Sequence, residues 1–192
     1  MRIAGATIPA RDPQALADWY AATLGRVPVA FEPGEPSPQH LAFHVAELSS
    51  WRERLPVPLL QDDRGNDEFD FASWDGARSI YVLDPEGNVV ELVARPRARP
   101  ELSLAEVGLA TTDVAGAVAA LEQILALCRY DGDRSSFAAV GDPDALLIVV
   151  AAGRRWFPSR VPAGDAAVGV RIEGAGEAQL LLPGSRHRIQ AV

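Results

Sequence analysis

His40-Leu41-Ala42-Phe43-His44-Val45-Ala46-Glu47-Leu48 lies over Glu106-Val107-Gly108-Leu109-Ala110-Thr111-Thr112-Asp113-Val114 without a gap. Downstream of each copy, Leu83-Asp84-Pro85-Glu86-Gly87-Asn88-Val89-Val90-Glu91 lies in the same way over Gly141-Asp142-Pro143-Asp144-Ala145-Leu146-Leu147-Ile148-Val149. A repeat of this size says more about architecture than any single motif. Each copy opens on an apolar strand. Each closes on a hairpin, and in the first the turn uses Pro85 for its fixed φ and Gly87 for positive φ.

Working outward, partial copies flank this pair. Ile3 to Ala10 reads as a strand, and Asp12-Pro13 is a helix start, with Asp as N-cap and Pro at the first helical position. Leu16, Trp19, Tyr20 and Leu24 recur at helical spacing until Gly25 closes the helix. Strands are expected at 27–31, 40–45, 69–73, 79–83 and 88–94, with a short helix over 49–55. After the run Arg95-Pro96-Arg97-Ala98-Arg99-Pro100 the order repeats: strand 104–111, Asp113 as N-cap, helix 114–127, and strands 136–140 and 146–151. Segments 168–173 and 179–192 supply strands without a clear helix. The expected fold is α+β, made of repeated βαβββ modules in curved mixed sheets, two complete in the middle and one abbreviated at each end. The expected halves are 1–96 and 102–192, with 97–101 as an Arg/Pro linker.

Composition excludes several chemistries. The chain of 192 residues has no lysine, so Schiff-base enzymes and lysine-containing phosphate loops are ruled out. One cysteine and three histidines exclude an internal disulfide and a Cys/His structural zinc module. A net charge of −8 argues against a nucleic-acid partner. The longest apolar run, 145–152, is too short to span a bilayer, and Arg11 interrupts the start before a signal peptide could form. A cytoplasmic protein is therefore expected.

The stretches TIPARDPQALADWY…LG, HLAFHVAEL and YVLDPEGNVVELV, in this order and spacing, resemble the vicinal oxygen chelate superfamily. Glyoxalase I, extradiol dioxygenases, fosfomycin-resistance enzymes and bleomycin-binding proteins belong to it. The resemblance covers residues 3 to 95 and, more weakly, 102 to 192. It implies a glyoxalase-like cup built from two modules, with a divalent metal on the first and last strands of each. Strand alternation puts His40, Ala42 and His44 on one face and Leu41, Phe43 and Val45 on the other.

Carried onto this sequence, pairing the two middle modules gives His40, Glu91 and Glu106 as metal ligands, with Val149 at the fourth position. Pairing first with second and third with fourth instead gives Gly5, His40 and Glu91 in one cup, and Glu106 with Gln190 in the other. One imidazole and two carboxylates suit Fe, Mn, Ni, Co or Zn. His44, on the face of His40, is the candidate general base. Arg154 and Trp156, in Gly153-Arg154-Arg155-Trp156-Phe157-Pro158, would suit a lid over an anionic or aromatic ligand; the alternative is a crossover loop with its aromatics on the core. His187, between Arg186 and Arg188, reads as surface.

Two functions follow. The first is a metal-dependent lyase, isomerase or dioxygenase acting on a small molecule with vicinal oxygens. Ring cleavage usually asks for two histidines and one carboxylate, which ranks it lower. The second is a metal-free binding protein that sequesters a small molecule, as bleomycin-resistance proteins do. Strand edges left by the abbreviated modules point to a homodimer.

Overall fold

The computed structural model describes residues 1–96 and 102–192. The expected linker, 97–101, lies outside the described residues. In chain order the elements are β1 (Arg2–Ala10), α1 (Pro13–Thr23), β2 (Val29–Pro33), β3 (His40–His44), α2 (Ser49–Arg54), β4 (Phe69–Phe71), β5 (Ala77–Leu83), β6 (Val89–Ala94) and β7 (Ser103–Thr111). They continue with α3 (Val114–Ile124), β8 (Arg129–Gly132), β9 (Phe137–Asp142), β10 (Ala145–Ala151), β11 (Gly169–Glu173), β12 (Ala178–Leu181) and β13 (Arg188–Ala191).

Two sheets hold these strands. The two middle modules together form a curled eight-stranded sheet in the order β4-β5-β6-β3-β7-β10-β9-β8. The outer modules form a five-stranded sheet, β12-β13-β11-β1-β2. The pairing of first module with second and third with fourth is thereby overturned: β3 runs against β7, and β1 against β11. Each sheet draws strands from both expected halves of the chain.

Local chemistry sets the helices. Asp12 and Asp113 cap α1 and α3 by accepting from the N–H groups of Ala15 and Gly116 at 3.0 and 2.8 Å. α1 buries Leu16 and Tyr20, and α3 buries Val118 and Leu121, in the main core with Leu41, Phe43, Leu147 and Val149. Burial of each large side chain contributes roughly 1.5–3 kcal/mol. None of the helices among the described residues is long and apolar enough to cross a membrane.

Period-two alternation then divides each strand between two environments. On β10, Leu147 and Val149 face the core, while Leu146, Ile148 and Val150 line the concave side with Tyr81 and Trp156. His187 corrects the sequence reading. It is fully buried, takes the Val168 N–H on Nδ1 at 3.0 Å and donates from Nε2 to the Ala110 carbonyl at 2.7 Å, so it bonds β7 to the segment entering β11. Arg186 and Arg188 alternate outward on either side of it, and strand-like alternation turns the residue between them inward.

Candidate metal centre

The turn of the first hairpin places His40. Asp84 Oδ1 accepts from the N–H groups of Glu86 and Asn88 at 2.9 Å, and Asn88 Nδ2 donates to Asp84 Oδ2 at 2.7 Å. Gly87, at φ +85°, completes the turn. Asn88 then grips the start of β3 by accepting the Gln39 N–H at 2.8 Å, while the Val89 N–H donates to the Gln39 carbonyl. Tyr20 reaches from α1 to Asp84 Oδ2 at 3.1 Å. Residue 40 therefore follows a backbone unit bonded on both sides.

Register does the rest. Ala42 pairs with Glu91 on one side and with Glu106 on the other, so both carboxylates stand on the concave face in one row across β6, β3 and β7. The small Ala42 side chain between them leaves room for both to lean together over β3. One pair-step along, His40 completes the group: its Nε2 lies 2.9 Å from Glu91 Oε2, and a ligand atom from each of His40, Glu91 and Glu106 falls within 4.8 Å of the others. All three are buried.

Their surroundings fix their charges. Ser79 Oγ donates to Glu91 Oε1 at 2.5 Å. Burial opposes the imidazolium of His40, but the hydrogen bond and charge of Glu91, with Glu106 behind it, raise its pKa above the ordinary value. Burial likewise opposes the Glu91 carboxylate, yet the His40 hydrogen bond and charge, Ser79 and Arg95 hold its pKa below the usual range. For Glu106 burial wins: with the Glu91 charge it pushes the pKa up to about 7 against Arg95 and His40. Close like-charged carboxylates in a dry site ionise at separate pH values for this reason.

Sequence reading missed Arg95, which it had placed in the linker run. The Arg95 side chain is only 5% exposed, pairs with Glu106 and donates to the Pro143 carbonyl at 2.8 Å. The signal was present: Glu91, Val93 and Arg95 alternate onto one face, so a cation two and four residues beyond a cup-facing position belongs to the cup. The fourth position also needs correction. Leu146 pairs with Glu106 on β7, and Ile148 pairs with Gly108, in register with the pairing of Glu91 and Ala42; Ile148 therefore occupies the place assigned to Val149. The second hairpin is one residue shorter than the first, which shifts the gapless alignment by one and turns Val149 to the core. Neither side chain can coordinate.

His44 is corrected as well. It does not line the cavity above His40, Glu91 and Glu106; it lies at the far end of β3, where Nε2 donates to the Asp144 carbonyl at 3.0 Å. Burial keeps the imidazole neutral by lowering its pKa. The β3–β6 register runs unbroken to the pairing of His44 with Val93, so His44 keeps the face of His40 and is set apart by its place at the end of the strand.

Above these three side chains is a cavity of about 280 Å³. Its floor holds His40, Glu91, Glu106 and Arg95, and its walls include Phe71, Trp74, Tyr81, Phe137 and Phe157. Arg154 and Trp156, named from the sequence, line it too, together with Arg155. Trp156 is nearly inaccessible, donates from Nε1 to the Pro38 carbonyl at 3.0 Å and lies 5.6 Å from the His40 ring. Gly108 makes room for it: a Cβ there would lie 2.6 Å from Trp156 Cη2 and 3.0 Å from His40 Cβ. The segment after β10 thus folds back across the sheet, with Trp156 as its anchor.

The donor set fits a divalent transition metal. Ligand atoms bound at about 2.0–2.2 Å to one ion lie roughly 3 Å from one another, the scale of the His40–Glu91 separation. One imidazole nitrogen and two carboxylates are a mixed set that Fe, Mn, Co, Ni and Zn accept. His40 Nδ1 has no hydrogen-bond partner, so the ring is held by Glu91 and by packing against Trp156.

Paired βαβββ modules in a curled eight-stranded sheet make a glyoxalase-like fold, and solved structures share it. A putative dioxygenase from Bacillus subtilis superposes with a TM-score of 0.64 at 16% identity, covering 100% of this chain and 85% of that one. Glyoxalase I from Zea mays superposes at 0.58 with 14% identity, covering 100% and 92%, and its V278E mutant at 0.59 with 12% identity. No protein-family model and no curated protein sequence matches the chain.

Proposed function

We propose that this chain is a metal-dependent enzyme acting on a small molecule with two adjacent oxygens, with the metal on His40, Glu91 and Glu106. The carrying observation is the convergence of three buried ligand atoms within 4.8 Å on the floor of an aromatic cavity. A divalent ion there supplies Lewis-acid polarisation of the substrate oxygens. The chain's own residues do the rest. Ser79 and Arg95 orient the two carboxylates, and the aromatic walls exclude water. A single imidazole favours lyase or isomerase chemistry over ring cleavage. A homodimer that covers the edge strands β2, β4, β8 or β12 belongs to the same reading.

A second reading, metal-free sequestration of a small molecule, draws on Arg95. His40 with Glu91 and Arg95 with Glu106 are two opposite-charge pairs, so the floor is balanced by the chain's own groups. Elemental analysis of protein purified without chelator separates the readings. The enzyme reading expects about one metal ion per chain, lost in both His40→Ala and Glu91→Ala. Stoichiometry near zero, unchanged after soaking in Mn, Fe, Co, Ni or Zn, would overturn it in favour of sequestration.

A further inference from the structure

The cavity selects more than a pair of oxygens. Of the four Trp, three Tyr and six Phe in the chain, six line this one space. The rings are set at different tilts: Trp74 stacks at 29° on Phe137, while Phe157 meets Phe71 at 79° and Tyr81 at 86°. Edges and faces both reach the interior, the surroundings in which a flat ring finds offset and edge-to-face partners. Arg154 and Arg155 stand at the exposed end, and neither has a carboxylate partner among the described residues. Arg154 donates to Ser136 Oγ at 3.0 Å and lies over the Phe137 ring, which aims a cation along the aromatic wall.

Charge points the same way. Three guanidiniums line the cavity against two carboxylates, in a protein whose net charge is −8. A divalent ion held by His40, Glu91 and Glu106 would add to that positive excess. Such a concave site concentrates anions although the molecule as a whole repels them.

We propose that the ligand of this cavity is an aromatic anion: its ring lies among Trp74, Phe137 and Phe157, and its carboxylate or equivalent group meets Arg154 and Arg155 at the mouth. The inference rests on the reading of the cup as the ligand site and assigns the ligand class. Planar guanidinium forks match a carboxylate in two-point contact, and a stacked arginine beside an aromatic wall recognises ring and charge together.

Phenylacetate is the probe, with benzylamine and cyclohexylacetate as controls for charge and for aromaticity. Binding is followed by the fluorescence of Trp74 and Trp156 and by calorimetry, and metal content is measured on the same samples. Phenylacetate is expected to bind about tenfold or more tightly than benzylamine and several-fold more tightly than cyclohexylacetate. Arg154→Gln combined with Arg155→Gln should remove most of the first preference, and Trp74→Leu most of the second. Both variants alter the mouth and leave the main core in place, and their unfolding midpoints verify this. Equal or tighter binding of benzylamine, no binding of phenylacetate, or preferences unchanged in the variants would each overturn the proposal. If metal is present and the preference is missing, the ligand class fails while the metal reading stands; if the preference is present without metal, the reverse holds.

Discussion

Replacing His187 by Ala tests the bond between the two sheets. The Val168 N–H donates to Nδ1, so that nitrogen is an acceptor and the folded imidazole is neutral, with its proton on Nε2 for the Ala110 carbonyl. Truncation leaves one donor and one acceptor buried without partners. Each such group costs about 1–3 kcal/mol, so the loss should be roughly 4 kcal/mol, before any contribution from the space left by the ring. The pH dependence follows from the same tautomer. Burial lowers the pKa of His187 from its ordinary value of 6.5, with the Arg186 charge adding to this and the Ala110 bond opposing it. The unfolded chain therefore binds the proton first. The stabilising contribution is complete above about pH 6.5 and is lost as pH falls from there toward the folded-state pKa, at up to about 1.4 kcal/mol per pH unit. Urea unfolding of wild type and His187→Ala, followed by tryptophan fluorescence, measures the difference at several pH values. The gap should be widest near pH 8 and narrow steadily below about pH 6.5. A gap under about 1 kcal/mol, or one constant across this range, would refute the assigned tautomer and the bridging role.

Three further outcomes follow from the site and its supports. Arg95→Met leaves Glu106 buried without its cation and should destabilise the metal-free protein by about 3 kcal/mol, with Mn²⁺ recovering part of the loss in thermal unfolding. Gly108→Ala drives a methyl group into Trp156 and should cost about 1–3 kcal/mol while red-shifting tryptophan emission as the indole leaves its pocket. Tyr20→Phe deletes the hydrogen bond to Asp84 and should cost about 1 kcal/mol in urea unfolding without changing the metal content.

Much of this architecture is legible because the repeat is local. Asp12 and Asp113 act as caps where the sequence places them, and the Asp84 turn closes the hairpin it announces. Which modules share a sheet is another matter. The contacts that decide it, β3 with β7 and β1 with β11, join segments far apart in the chain, and both candidate pairings satisfy every local signal. The errors at Val149, His44 and His187 have separate physical origins. A hairpin shorter by one residue changes which side Val149 takes, His44 keeps its face but lies at the far end of β3 from the cavity, and at His187 alternation holds while the flanking arginines read as a solvated stretch. Arg95 was missed for the same reason as His187: alternation holds there, but the basic run that follows reads as a solvated connection.

Energetics give the buried group its significance. His40, Glu91, Glu106 and Arg95 are all removed from solvent, where each charge loses several kcal/mol of hydration that pairing restores only in part. Apolar residues at these positions would hold a sheet together at least as well, and the molecule demonstrates this at Ile148. There the equivalent of Glu91 is a hydrocarbon packed with Val150 and Trp156, with no loss of strand register. A scaffold under selection for stability alone would fill all four positions in that way. Retention of three donors and a guanidinium on one side of the cup, opposite the hydrocarbon on the other, makes the floor asymmetric. The cavity floor is therefore polar on the His40 side and apolar at Ile148, beneath the aromatic walls.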